Sequence, residues 1–164
     1  MKKPKTKTPA LMLGWREWLC LPELDIPAIK AKIDTGARTS ALHAFHVEAY
    51  KEHGRHLVRF GIHPLQKRKD IELFRIAEVA DYRRVSDSGG HREMRYVIKT
   101  PVLLAGSTWD IEITLTDRES MQFRMLLGRT AMAGHFTIDP QASYLTGLSL
   151  KKAYKKEQRS RNTP

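Results

Sequence analysis

The stretch Ile29-Lys30-Ala31-Lys32-Ile33-Asp34-Thr35-Gly36-Ala37 decides how the chain is read. Ile29, Ala31 and Ile33 alternate with Lys30 and Lys32, the two-residue period of a strand with one buried face. Asp34, Thr35 and Gly36 end that run: glycine permits a sharp turn and the threonine hydroxyl can hydrogen-bond locally. A carboxylate at the end of a rigid strand is held more precisely than one on a loop. Asp34 is therefore the first candidate for chemistry.

A second stretch, Phe123-Arg124-Met125-Leu126-Leu127-Gly128-Arg129, is a short apolar run ending in Gly-Arg. Thr130 to Gly134 then reads as a short helix closed by glycine. With 164 residues, 41% of them hydrophobic, the chain can bury the core of one domain. We place a flexible basic arm at 1–10, the folded domain at 11–150 and a basic tail, readable as a frayed helix, at 151–164. Lysine and arginine number 29 against 18 acidic residues, a formal charge of +11, which implies an anionic partner. Part of that excess sits in the tails.

Cys20 stands alone, so neither an intrachain disulfide nor a cysteine-based zinc site can form. The chain fits a reducing compartment, and the apolar run Ala10 to Leu13 is too short for a secretion signal, so the expected location is cytoplasmic. No window approaches a membrane span. No phosphate-loop glycine pattern is present, so no cofactor is expected and any ATP must be brought by a partner.

Strands are expected over Gly14–Leu21, Ile26–Ile33, Thr39–Tyr50 as one continuing strand, Arg55–Ile62, Tyr82–Val85, Glu93–Leu104, 107–116, 123–127 and Phe136–Asp139. Residues 71–80 fit strand or helix equally. Pro101 suggests an edge or a bulge. Trp109, Ile111, Ile113 and Leu115 alternate with Asp110, Glu112, Thr114 and Thr116 as in a half-buried strand. The turn signals are Pro22–Asp25, Lys51–Gly54, Ser86–His91 and Ala105–Ser107. The three tryptophans read as core.

Asp-Thr-Gly-Ala followed downstream by Leu-Leu-Gly-Arg resembles the retropepsin-like aspartic proteases over roughly residues 13–148. The run Ile33 to Ala44 resembles, more narrowly, bacterial proteins labelled ATP-dependent zinc proteases. The resemblance implies a mostly β, all-β barrel with one short C-terminal helix, working as a homodimer. Asp34, Thr35 and Gly36 would be catalytic, the Asp34 carboxylates of two subunits sharing a proton across a two-fold axis. Thr35 would hydrogen-bond across that axis, and Gly36 would meet the substrate backbone. Leu126, Leu127 and Gly128 would pack beneath the Asp loop. Ala37, Arg38, Gly89, Gly90 and Arg129 would contact substrate, the two glycines on a mobile flap. The narrower family is associated with ATP-grasp glutamate ligases, which implies a functional link to such a ligase and acidic or glutamyl-tagged peptides as substrate.

Three features depart from that pattern. Arg38 stands where retroviral members carry an acidic residue that pairs with the arginine of Gly-Arg. Arg38 and Arg129 would then repel unless Asp139 or a substrate carboxylate lies between them, and we expect the pair to bind an acidic peptide. The flap tip, Ser86 to Arg92, is polar, and a basic connector occupies 63–70. Plainer readings stand beside these: Asp34 as a turn-former, Gly89-Gly90 as an ordinary hairpin and Arg129 as a structural residue. Two other functions stay open, a non-catalytic acidic-peptide-binding module on the same fold and a metal-dependent peptidase. His43 and His46 form His-x-x-His, but on a strand their rings would point to opposite faces, and no His-Glu-x-x-His exists, so no metal ligands are assigned. Few aromatics lie in a stacking pattern, which argues against nucleic acid.

Overall fold

The strand that delivers Asp34, β3 (Ile26–Asp34), buries Ala28, Ile29, Ala31 and Ile33 and leaves Lys30 and Lys32 outward, as the alternation requires. In the computed structural model, which describes residues 11–87, 89–118, 121–146 and 153–154, the chain is almost entirely β. Before β3 come β1 (Leu11–Leu13) and β2 (Arg16–Leu21), then a single 3₁₀ turn at Pro22–Leu24. After it come β4 (Ser40–His43), β5 (His46–Glu52), β6 (Arg55–Ile62), β7 (Leu73–Glu78) and β8 (Asp81–Ser86). Then β9 (Arg92–Leu104), β10 (Ser107–Thr116), β11 (Met125–Gly128), α1 (Arg129–Met132) and β12 (Phe136–Ile138) complete the fold.

The main sheet runs β10-β4-β11-β3-β2-β9-β8, and β10 also pairs with β9. That extra pairing closes six strands into a barrel and leaves β8 as an added strand on its rim. Closure removes the exposed edges an open sheet would carry. Leu19, Leu21, Ile26, Ile29, Leu42, Ile98, Leu104 and Ile113 fill the interior, each at most 1% exposed. A second sheet, β5-β6-β7, packs Val58, Phe60 and Ile62 into the same core cluster. A third, the parallel pair β1–β12, flanks them.

Several expectations need correction. Residues 39–50 are not one strand: β4 belongs to the barrel and β5 to the second sheet, with Ala44 and Phe45 as the crossing point. Ala44 N–H donates to Thr116 O and Phe45 N–H to Gly61 O, so consecutive amides bond to different sheets. Within the ambiguous 71–80 segment, Leu73–Glu78 is strand, held extended by its ladder with β6. Pro101 lies inside β9, opposite Asp110. On its other side β8 pairs only as far as Val97 and β2 begins at Leu103, so the missing proline N–H falls at a locally open edge. The polar face of β10 is not all solvated, because Thr114 and Thr116 are buried. Thr114 Oγ1 donates to Ser40 O (3.2 Å) and Thr116 Oγ1 to the Glu93 carboxylate (2.6 Å). Of the tryptophans, Trp18 is core, whereas Trp15 and Trp109 are half-buried.

The arm at 1–10 and most of the 151–164 tail lie outside the described residues. Tyr154 is described, and it is buried: its hydroxyl donates to Ala28 O and accepts from Ala28 N–H, on the strand that carries Asp34.

Glu17 fastens the loop after β12. It is wholly buried, yet no sequence pattern marks it. Its Oε2 accepts from Gly14 N–H (2.8 Å) and Leu145 N–H (3.0 Å), and Oε1 from Thr146 N–H (3.1 Å). Gly14 is required there, since a Cβ would lie 2.3 Å from Ala142 O. Glu17→Ala strands three amide donors and should cost about 3 kcal/mol or more of unfolding free energy, against about 1 kcal/mol or less for a surface control such as Glu48→Ala. Urea denaturation of the full chain measures both.

Candidate active site

Strand β11 lies between β3 and β4, parallel to the first and antiparallel to the second. The Asp loop that joins β3 to β4 must therefore cross the end of β11. Gly128 sits opposite Asp34 in the ladder, and the loop passes so close that a Cβ there would meet Thr39 C at 2.5 Å and Ser40 N at 2.8 Å. Only glycine fits beneath it. Its N–H donates to Ser40 Oγ (3.0 Å). Leu127 stands opposite Ile33 and supports the strand end from below.

The first turn of α1 grips the loop from the side. Arg129 N–H donates to Ala37 O (2.7 Å), Thr130 N–H to Arg38 O (3.1 Å), and Thr130 Oγ1 also to Arg38 O (2.7 Å). These amides have no partner within the helix, so the loop carbonyls take their place. Asp34 closes the turn on itself: Oδ1 accepts from Gly36 N–H (3.0 Å) and Ala37 N–H (3.1 Å). Oδ2 receives no hydrogen bond from any described residue, and Asp34 and its neighbours line a cleft of about 590 Å³.

Across the cleft stands the β8–β9 hairpin. Arg83, Arg84, Val85, Ser86 and Asp87 line it opposite Gly36, Ala37, Arg38 and Thr39, with Arg95, Arg118, Leu126 and Arg129 completing the wall. Asp87 shapes the hairpin turn. Its Oδ1 accepts from Gly89 N–H (2.9 Å) and His91 N–H (2.8 Å), and its Oδ2 pairs with Arg118 at 2.9 Å. Burial pushes the Asp87 carboxyl up, but the His91 amide, the Arg118 charge and the Gly89 amide outweigh it and hold it below the ordinary carboxylate range. Glu93 behaves alike: burial raises it, and the Thr116 hydroxyl, Arg95 and Arg118 lower it further than that.

Of the residues singled out from sequence, Asp34, Gly36, Ala37, Arg38 and Arg129 meet at this cleft. Thr35 is exposed beside it, with its carbonyl at the end of a long contact from Arg129 Nη1 (3.5 Å). Gly89 and Gly90 form the hairpin turn but are not lining residues; Gly90 takes a left-handed φ of 80°. Gly36, expected to accept from or donate to the substrate backbone, has its N–H already given to Asp34, which leaves its carbonyl for that contact. Asp139 does not line the cleft that holds Arg38 and Arg129 and makes no ion pair with either; its carboxylate accepts from Gln141 N–H. The sequence reading missed Arg83, Arg84, Arg95, Arg118 and Asp87. The adjacent arginines on a short strand before the glycine turn were a usable signal, whereas nothing local marks Arg118.

His43 ends β4 and His46 begins β5, so they sit on different sheets rather than on two faces of one strand. Among the described residues no three His, Cys, Asp or Glu side chains converge as a metal-binding group. Among them, too, no helix is long and apolar enough to cross a membrane.

The charge is unevenly placed. Ten of the 29 basic residues and one of the 18 acidic residues fall in 1–10 and 151–164, leaving 11–150 with 19 basic against 17 acidic. The body is thus close to neutral, yet six arginines line one cleft.

The chain is 43% identical over 136 residues to a protein of Shewanella pealeana named a probable alpha-L-glutamate ligase, covering 83% of this chain and 30% of that one. It is 43% identical over 151 residues to one of the same name from Desulfotalea psychrophila, covering 90% and 32%. The chain therefore spans about a third of the length of these curated relatives. A crystal structure of Lpg0085 from Legionella pneumophila superposes with a TM-score of 0.68 at 24% identity, covering 85% of this chain and 99% of that one, which speaks to the fold alone. The model of the RimB-like family, described as the retropepsin-like aspartic endopeptidase RimB, matches residues 12–148, and the chain belongs to that family.

Proposed function

We propose that the chain is an aspartic peptidase that cleaves acidic or glutamyl-tagged peptides, with one Asp34 from each of two subunits. The observation that carries this is the half-held carboxylate: Oδ1 is fixed by two amides, Oδ2 accepts no hydrogen bond from a described residue, and Asp34 lines an arginine-rich cleft. One such carboxylate cannot both activate a water and protonate the carbonyl oxygen. Two of them, sharing one proton because like charges at close range cannot both ionise, can do both. The ionised member takes a proton from water as the oxygen attacks the carbonyl carbon. The protonated member gives its proton to the carbonyl oxygen. Collapse of the tetrahedral species then breaks the C–N bond as the amine takes the proton that the first carboxylate removed from water, and a hydroxyl of the gem-diol returns a proton to the second carboxylate, which restores the shared-proton pair.

A homodimer supplies the second carboxylate. Leu11 and Met12 on β1 are 52% and 53% exposed, on a two-stranded sheet that has unpaired edges among the described residues, and such a surface favours association. Substrate has a natural seat. Arg83 to Ser86 are consecutive on a strand whose side chains alternate in direction, yet all four line the cleft, so they share a backbone edge toward it. An extended peptide laid along that edge would gain main-chain hydrogen bonds, with arginines placed for its acidic side chains. Relatives named as glutamate ligases carry a matching domain inside longer chains, which supports a functional link between this chain and such a ligase. A cytoplasmic setting would suit that link. A second reading, an acidic-peptide-binding module without turnover, draws on the Asp34 turn geometry, which is complete without catalysis.

Asp34→Asn keeps the turn acceptor and should lower kcat/KM on a glutamate-rich peptide by about 10²–10⁴-fold or more, with specific activity of the parent rising with protein concentration. Chelator should leave turnover unchanged. Turnover that survives Asp34→Asn but not chelator would favour a metal-dependent peptidase, and peptide binding without turnover in either protein would favour the module. Arg38→Ala and Arg129→Ala should each raise KM for the acidic peptide about tenfold, leave a neutral peptide unaffected, and lose that effect as salt is added.

A further inference from the structure

The six cleft arginines fall into two groups. Arg83 pairs with Asp81 (2.7 Å) and Glu112 (3.1 Å), Arg95 with Glu93 (2.5 Å), and Arg118 with Asp87 (2.9 Å). Arg38, Arg84 and Arg129 have no carboxylate at ion-pair distance among the described residues. Within the paired group, Asp81, Glu112 and Glu93 lie outside the cleft lining. Asp87 is itself a lining residue, and among the described residues it is the one carboxylate there besides Asp34.

We propose that Asp87 is a built-in stand-in for a substrate carboxylate: it occupies Arg118 while the cleft is empty, and an acidic peptide displaces it and so frees the hairpin turn. This rests on the acidic-peptide reading above and adds to it a device that couples occupancy to hairpin position.

The geometry suits an exchange. The two oxygens of Asp87 do different things. Oδ1 shapes the turn through Gly89 and His91, contacts internal to the hairpin. Oδ2 ties that turn to Arg118, beyond the end of β10. Losing the Oδ2 contact therefore leaves the turn intact and lets it move as a unit. The pair also stands in the wall between two spaces, since Asp87, Arg95 and Arg118 line both the main cleft and a smaller cavity of about 220 Å³ with His91, Arg92 and Glu93. Asp87 thus has a cationic space to enter when it is displaced. Carboxylate replaces carboxylate on the same guanidinium, so the step itself is near balance. Occupation of Arg38, Arg84 and Arg129 by other acidic side chains of the same peptide tips it. A neutral peptide offers Arg118 only uncharged carbonyl acceptors, which do not outcompete a carboxylate, and leaves the tie closed.

The test uses the full chain carrying Asp34→Asn, so that peptide is bound and not cut, with labelled hexaglutamate and hexaglutamine as probes. Adding Asp87→Asn, which keeps an oxygen for the turn amides, should tighten hexaglutamate binding about five- to tenfold, the weight of one partly screened charge-assisted hydrogen bond, and leave hexaglutamine unchanged. Arg118→Gln should weaken hexaglutamate binding by a similar factor, and in that background Asp87→Asn should have no further effect. Hydrogen exchange at Gly89 to Arg92 should quicken when hexaglutamate is added to the protein with Asp87 intact. Unchanged or weaker hexaglutamate binding with Asp87→Asn, or slower exchange at those amides, overturns the proposal. Hexaglutamate binding that Arg38→Ala weakens but Asp87→Asn does not touch would end this inference and spare the acidic-peptide reading. No hexaglutamate binding at all would end both.

Discussion

The site depends on one backbone constraint: the loop after β3 has to cross the end of β11 at van der Waals distance. Gly128 permits the crossing, and the crossing leaves the carbonyls of Ala37 and Arg38 facing inward without a strand to pair with. The opening amides of α1 need acceptors for the converse reason, since a helix start has donors its own turn cannot use. Loop and helix satisfy each other. A four-residue helix has little stability of its own, and a loop of this kind has none, so each exists because the other is there. Asp34 inherits the rigidity of that clasp. Tyr154 holds the same strand at a second point, through Ala28.

The parts of this arrangement that were legible in sequence are those fixed by local periodicity. The alternation of Ile29, Ala31 and Ile33 carries over directly, as do the turn at Lys51–Gly54 and the one at Ala105–Ser107, where His53, Gly54, Ala105 and Gly106 take positive φ. Periodicity failed where the chain changes partners at a short bend. β4 stops at His43, Phe45 bends and β5 starts at His46, yet no glycine, proline or turn-forming residue marks Ala44 and Phe45 as the step between two sheets. Thr114 and Thr116 were misread for a related reason. Threonine is polar by composition but is readily buried when a carbonyl or carboxylate is in reach, and Ser40 O and Glu93 come from distant strands. Glu17 and Arg118 were invisible for the same cause: their partners lie far along the chain, and no spacing rule connects them.

Net charge turned out to be a poor guide to where charge acts. Most of the excess lies in the two ends, and the body between them is nearly balanced. A balanced body with six arginines on one cleft must place its acids elsewhere, and several of those acids hold arginines from behind. Glu93 and Glu112 neutralise Arg95 and Arg83 from outside the lining, which lowers the repulsion among closely set guanidinium groups. Without such support, gathering six like charges would oppose folding. The unsupported three, Arg38, Arg84 and Arg129, are the more exposed ones, where water screens their mutual repulsion until a ligand arrives.

The plain and the chemical readings of Asp34 are often set against each other, as though a carboxylate that makes a turn has no role left. The geometry here separates the two oxygens. The turn consumes Oδ1 and fixes the plane of the carboxylate, and that fixing is what a reacting group needs, because a freely rotating carboxylate would spend its interactions on reorientation rather than on the transition state. The same division recurs at Asp87, where one oxygen builds a turn and the other faces a cation across the gap. Two aspartates, each with one oxygen committed to its own backbone, thus face each other's walls of one cleft. Asp34 has no cation bound to its second oxygen and Asp87 has one. That difference leaves Asp34 Oδ2 without a partner among the described residues and makes Asp87 Oδ2 a group that a stronger competitor could replace.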